Sequence, residues 1–291
     1  MIVNQQALQG LYVGFNTLFN KAFKGIEPQW GKLATKVTSN TGAENYKWLG
    51  LIPKMREWVG DRQIKSLEAS DFTIKNKDYE LTVGIPRNDI EDDTIGVYSP
   101  VVESMGQSAA QLPDELVFGL LKGGFEQLCY DGKPFFAGNH KGGSNKGTAK
   151  LSVDAYAAAR ASMMSLKDNA GKPLGIVPDL LVVPPALEGM ARKILMAEQI
   201  DGSTNTMRGT ATLLVSPLLA GADNAWYLLC TTQPVKPLVY QERKPPKFTS
   251  LTSDTDPNVF ARKQYVYGVD GRCNAGYTLW QLAWGSDGSK A

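Results

Sequence analysis

The hydrophobic period of this chain changes twice within its first 121 residues, and each change separates a helix from strands. Leu8, Leu11, Tyr12, Phe15, Leu18, Phe19, Ala22 and Phe23 recur at helical spacing until Gly25 and Pro28 stop the pattern. The opposite face carries Asn, Gln and Thr with few cations, unlike helices that lie on membranes, so the sequence predicts an amphipathic N-terminal helix docked on protein. From about residue 45 to 86 the period falls to two. In "FTIKNKDYELTVGI", Phe72 and Ile74, then Tyr79, Leu81 and Val83, alternate with polar residues, which predicts a long hairpin or a pair of them. Helical spacing returns with Val101, Val102, Met105, Ala109, Leu112, Leu116, Leu120 and Leu121. Pro113 interrupts this stripe: either the helix kinks there, or a second helix starts there with Asp114 and Glu115 at its positive end.

The remainder mixes both element types. "LSVDAYAAARASMMSLKD" reads as a helix capped by Ser152, and "DLLVVPPALEGMARKILMAEQI" as a buried strand running through Pro184 and Pro185 into another helix. "TLLVSPLL", "AWYLLCT", "KPLVYQE", "KQYVYGVD" and "YTLWQLAWG" follow as strands. Helices and strands do not alternate regularly, so the fold class is α+β rather than doubly wound.

Composition narrows the function. With 31 Lys+Arg against 29 Asp+Glu, the chain lacks the cationic excess of a dedicated nucleic-acid binder, and any contact with DNA is expected to be weak and nonspecific. The net value hides a local asymmetry. Residues 1–56 carry seven cations and two anions, whereas residues 88–121 carry seven anions and no cation. Such opposed blocks suit contacts between copies, where charge sets register more than affinity. "MREWVGDRQIKSLEAS" places Trp58 and Arg62 near a turn, two residue types that dominate interface hot spots. The chain has neither a basic leader nor a long apolar run, so a soluble protein made without export is expected.

The segment "CYDGKPFFAGNHKGGSNKGT", residues 129–148, concentrates the residues that carry chemistry elsewhere. A cysteine nucleophile would require Cys129 beside His140, with Asp131 as a nominal orienting group. A phosphate loop requires lysine directly after the second glycine, but here Lys146 precedes Gly147. One histidine and three scattered cysteines supply too few ligands for a structural metal site, and "DIEDD" lacks the glycine and terminal glutamate of a calcium loop. The simpler reading is a turn at Asp131-Gly132, an apolar anchor at Phe135 and Phe136, and an exposed loop that includes His140. No catalytic residue, cofactor or metal is expected.

The order of four segments carries more information than any one of them: "YKWLGLIPKMREWVGDR", "NKDYELTVGIPRNDIEDDTIGVY", "CYDGKPFFAGNH" and "YGVDGRCNAGYTLWQLAWGS". In this order the chain resembles the major head subunit of Mu-like bacteriophages, which is similar to the Hong Kong 97-type capsid proteins. The resemblance implies an N-terminal arm at 1–42 and an extended hairpin loop at 43–86. It implies a peripheral domain with a long spine helix at 87–150, an axial domain at 151–240, and a return through the peripheral domain at 241–291. It further implies hexamers and pentamers closing an icosahedral shell around double-stranded DNA, with assembly in the bacterial host cytoplasm. Because the sequence opens almost directly on the arm helix, a separate scaffold and maturation protease are expected partners. Trp58, Arg62, Asp92 and Asp93 are the expected subunit contacts, the basic arm and hairpin base lying against a neighbour's acidic spine helix. Two other functions fit parts of the pattern: an encapsulin-like compartment that packages protein, and a cysteine hydrolase using Cys129 and His140.

Overall fold

The computed structural model describes residues 4–47, 49, 72–92, 95–168 and 171–290. Trp58, Arg62 and Asp93 lie outside the described residues.

Two sheets organise the chain. The four-stranded sheet has the order β1 (Ala34–Thr38), β11 (Leu238–Leu251), β12 (Gln264–Tyr277), β4 (Lys77–Pro86). β11 and β12 form a long antiparallel hairpin, to which β1 adds in parallel and β4 antiparallel. The five-stranded sheet has the order β5 (Lys146–Ala149), β13 (Ala283–Lys290), β10 (Trp226–Leu229), β6 (Leu180–Val183), β9 (Thr212–Val215). β6 and β10 are buried on both faces, which explains why "LLVV" and "WYLL" are unbroken apolar runs. Among the described residues two short ladders also form: β2 (Ala43–Asn45) with β3 (Thr73–Lys75), and β7 (Gln199–Ile200) with β8 (Ser203–Thr204).

The Pro113 stripe is one helix, α4 (Ser99–Gly123), with the proline in its interior. Its buried face is Val102, Met105, Gly106, Ala110, Asp114, Val117, Phe118 and Leu121, rotated by about one residue from the apolar spacing read in the sequence. Val102 and Met105 belong to one core cluster, with β12 residues and α1 (Gln5–Gly25); Val117, Phe118 and Leu121 belong to another that runs into the five-stranded sheet. The helix therefore bridges both cores.

Asp114 does not serve the start of a second helix. It is buried, 8% exposed, and its two carboxylate oxygens accept the backbone N–H groups of Gln29 (3.0 Å) and Trp30 (2.6 Å). Those N–H groups open the short helix α2 (Trp30–Leu33), so α4 supplies the cap that Gln29 cannot.

The arm helix forms as expected. Asn4 caps α1 by accepting from the Ala7 N–H at 2.8 Å, and Leu8, Leu11, Phe15 and Phe19 bury its apolar face. Burial of those four side chains stabilises the docked arm by up to roughly 6–12 kcal/mol in transfer terms. α1 lies on α4 of the same chain. At the crossing, a Cβ on Gly106 would sit 2.5 Å from the Phe19 carbonyl oxygen, so only glycine permits this approach. The apolar face of the arm is thus used within the chain, and its polar face, with few cations, stays exposed together with Val13.

Four further helices occur among the described residues, three of them late in the chain: α5 (Val153–Met164), capped by the Ser152 hydroxyl; α6 (Glu188–Met196), entered through a short 3-10 turn at Pro185; and α7 (Pro257–Arg262) at the β11–β12 turn. α3 (Arg87–Glu91) follows β4 directly. "YTLWQLAWG" is not one strand: β12 ends at Tyr277, a 3-10 turn spans Trp280–Leu282, and β13 begins at Ala283 in the other sheet.

Candidate functional site

Three places concentrate polar or exposed side chains that packing alone does not require: the root of the segment between β2 and β3, the loop after α4, and the end of the long β11–β12 hairpin.

The root is a buried polar network. The period-two run around residue 76 changes phase because β3 and β4 are separate strands in different sheets, and Asn76 lies buried at the break. Gln241 of β11, 0% exposed, donates to Asn76 Oδ1 at 2.7 Å and to the Ile74 carbonyl at 3.2 Å, and accepts from the Tyr46 hydroxyl at 2.8 Å. Asn76 in turn donates to Ser39 Oγ (2.8 Å) and the Thr41 carbonyl (2.9 Å), while Ser39 Oγ donates to Glu44 (2.8 Å). Hydrogen bonds from Ser39 and from the Asn40 N–H hold the Glu44 carboxyl below its ordinary range. Burial, with the Glu44 charge, pushes the Tyr46 hydroxyl up to about 12. A satisfied network of this kind fixes a single geometry in a low-dielectric site. It sets both ends of the segment that contains Trp58 and Arg62 against β11. Sequence pattern alone missed it, since Gln241 reads as an ordinary polar strand residue; the one available signal was the phase change at Asn76.

The loop after α4 brings Cys129, Asp131 and His140 together, with potential ligand atoms all within 4.8 Å of one another. His140 is not an exposed loop residue, as the sequence reading expected: its side chain is 0% exposed. Nδ1 lies 2.6 Å from Asp131 Oδ2 and Nε2 lies 3.3 Å from the Phe135 carbonyl, so an oxygen acceptor faces each ring nitrogen. The ring stacks on Trp280, with centroids 4.4 Å apart and planes 6° from parallel. The Cys129 thiol donates to Asp131 Oδ1 at 3.2 Å rather than to the histidine. Burial pushes this thiol up to about 12, the reverse of what nucleophile activation needs. Burial alone would raise the Asp131 carboxyl too, but hydrogen bonds from His140 and Cys129 outweigh it and hold the carboxyl below its usual range. Buried Asn145 accepts from the Ala137 N–H and donates to the Phe135 and Trp280 carbonyls, closing the loop. Cys129, Asp131 and His140 form the group among the described residues with a ligand set suited to a metal, yet their atoms are engaged with one another. The arrangement locks the link between α4 and β5 onto the 3-10 turn before β13. Gly142 and Gly143 lead into β5, not into a helix, so no phosphate cradle forms.

At the hairpin end, α7 is held firmly. The Asn258 side chain donates to both the Leu251 carbonyl (3.1 Å) and the Gln264 carbonyl (2.8 Å), spanning the turn. Asp256 accepts the Ser253 N–H, and the Arg87 N–H bonds to the Lys263 carbonyl at 2.8 Å, joining α3 to the same end. Arg87 pairs with Glu91 (2.8 Å) and Asp254 (3.6 Å). Tyr98 donates to Asp89. Asp92 caps α3, its backbone N–H bonded to the Asn88 carbonyl and its side chain exposed.

Comparison with known proteins settles what such a chain is. A family model for the Mu-like prophage major head subunit gpT matches residues 8–150, 144–219 and 216–290. The chain belongs to that family. It is 34% identical over 282 residues to the Mu-like prophage FluMu major head subunit of Haemophilus influenzae, covering 97% of this chain and 73% of that protein. To the major capsid protein of Escherichia phage Mu it is 32% identical over 283 residues, covering 97% and 74%. A subunit of the procapsid of bacteriophage JBD30 superposes with a TM-score of 0.62 at 35% identity, over 98% of this chain and 76% of that one. A virus-like particle protein of Pyrococcus furiosus shares the fold at 11% identity and a TM-score of 0.56. The fold is the Hong Kong 97-type capsid fold, and the chain is a structural head subunit rather than an enzyme. Neither the cysteine hydrolase nor the protein-packaging compartment is favoured. No helix among the described residues is long and apolar enough to cross a membrane.

Proposed function

We propose that this head subunit assembles with copies of itself into hexamers and pentamers that close an icosahedral shell around double-stranded DNA. The observation that carries the reading is the extent of the match: the family model runs from residue 8 to 290, through both sheets and α4, and the curated head subunits are matched over about three quarters of their length. The four-stranded sheet with α1 and α4 corresponds to the peripheral domain, and the five-stranded sheet to the axial domain. On this assignment β5 and β13 belong to the axial unit although they fall outside residues 151–240. The segment rooted on Gln241 is the extended loop, carrying Trp58 and Arg62 towards a neighbouring subunit.

Each contact in such a shell is modest, and its stability comes from many repeated heterologous interfaces that curve and close. A scaffold and a maturation protease are separate partners in this reading. Assembly takes place in the bacterial host cytoplasm, and the subunit's contact with packaged DNA is weak and nonspecific. Negative-stain imaging of the purified chain, alone and with candidate scaffold, tests the proposal. Particles whose surface averages into six-fold and five-fold capsomers support it; open fibres or unorganised aggregates in both conditions refute it.

A further inference from the structure

The two most exposed large apolar side chains among the described residues lie at the same end of the molecule and differ in kind. Phe260, on α7, is 86% exposed; Val97, in the 3-10 turn before α4, is 72% exposed. Val101 stands one helical turn beyond Val97 and is also exposed, so the pair makes an aliphatic ledge. α7 is joined to α3 by the Lys263–Arg87 backbone bond, and α3 to the ledge by the Tyr98–Asp89 bond. Phe260 and Val97 do not cover each other within one chain, as their exposures show.

The exposed charges beside them that lack an ion-pair partner are of opposite sign, although Asp254, paired with Arg87, and half-buried Asp256 also flank α7. Phe260 is followed by Arg262 and Lys263, both exposed and without an ion-pair partner among the described residues. The ledge is preceded by Asp92, exposed and likewise without an ion-pair partner. One end of the molecule therefore presents an aromatic knob with cations and an aliphatic seat with an anion. The knob is also held in place: Asn258 ties both sides of its turn, and the Arg87 N–H bonds to the Lys263 carbonyl at its end. Little conformational freedom remains to be lost when it docks.

We propose that Phe260 of one copy seats on the Val97–Val101 ledge of a neighbouring copy, with Arg262 and Lys263 against that copy's Asp92. The inference rests on the shell-subunit reading and deepens it by naming a contact. The contact is heterologous in this proposal: each copy gives its knob to one neighbour and its seat to another, and repeating that around an axis closes a ring, whereas a reciprocal two-fold pair would stop at the dimer. A buried aromatic anchor with flanking cations is the composition of an interface hot spot.

Paired cysteine substitutions test the contact, since the three native cysteines are buried. Assembled particles of the double variant Phe260→Cys with Val97→Cys are oxidised and run on a denaturing gel. The expected result is a series of covalent species beyond the dimer, absent from either single variant. Covalent dimers from Phe260→Cys alone would mean that knob meets knob and would overturn the proposal, as would a double variant that gives no species beyond the dimer. In parallel, Phe260→Ser is expected to raise the protein concentration needed for assembly by at least about tenfold, with the thermal midpoint of the monomer unchanged. Assembly of Phe260→Ser at the wild-type concentration would also overturn it. A wild-type chain that forms no particle under any condition strikes the shell reading itself, which separates the two failures.

Discussion

Two glycines of the same helix should respond to alanine in opposite directions. Gly106 and Gly119 both lie in α4, so replacing either one improves intrinsic helix propensity by roughly 1 kcal/mol. Their surroundings differ. A Cβ at position 119 meets nothing within 4 Å, whereas at 106 it would lie 2.5 Å from the Phe19 carbonyl oxygen, 3.0 Å from Ala22 Cβ and 3.1 Å from the Phe23 nitrogen. The contacting atoms at 106 are mainly α1 backbone, which has no rotamer by which to yield. Restoring an ordinary carbon–oxygen separation of about 3.3 Å moves the arm outward by nearly 1 Å, enough to forfeit a quarter to a half of the dispersion energy at each contact affected. Overpacking of this sort costs about 1–3 kcal/mol, and a backbone obstacle puts the cost near the upper end. Gly119→Ala is therefore expected to gain up to about 1 kcal/mol and Gly106→Ala to lose about 2 kcal/mol. The propensity gain is common to both, so their difference isolates the steric cost. Urea unfolding gives the comparison directly, provided the slope is unchanged. Equal shifts of the same sign would refute the docking of α1 on α4 of its own chain.

Trp58→Ala and Arg62→Ala are expected to leave the monomer folded but impair assembly; shells of normal yield and stability from both variants would remove that segment as an anchor. Reversing Asp92 and Asp93 to lysine is expected to harm assembly more than monomer stability, and an equal loss of monomer stability would assign those carboxylates to the fold. The Asp131 carboxyl is held below its ordinary value of about 3.9, so its stabilisation is complete above that pH and disappears as pH falls through the lowered native value. Asp131→Asn should accordingly be less stable than wild type at pH 6, with the two urea midpoints converging in acid; a constant offset down to about pH 2 would contradict this. Cys129, with its thiol pushed up to about 12, should resist a thiol reagent at pH 8 in the folded chain, and rapid single-site labelling there would contradict its burial.

The elements that were legible in the sequence are those whose periodicity is set by burial. The arm stripe and the fully buried runs of β6 and β10 follow from one face, or two, turned away from water, while the alternation of β4 is only partly so, with Ile85 buried, Tyr79 and Val83 half-buried and Leu81 exposed. What was not legible depends on distant partners. Asp114 reads as a helix-start carboxylate because nothing local shows that Gln29 and Trp30, some 84 or 85 positions away, present their N–H groups to it. His140 reads as a loop residue because its burial comes from Trp280, on a segment far along the chain. Gln241 sits in a strand where alternation alone assigns no role, and its importance appears only when Tyr46, Ile74 and Asn76 are placed around it. The exposed pair of Phe260 and Val97 was equally silent, since exposure of a large apolar residue is a tertiary property.

The central claim is that this chain builds a closed shell from copies of itself, and particle mass tests it most directly. Size exclusion coupled to light scattering on the purified protein, with added salt and crowding agent and with scaffold supplied, should resolve a discrete species of very high mass, with any remainder as monomer or rings. A chain that stays strictly monomeric in every one of those conditions would contradict the claim.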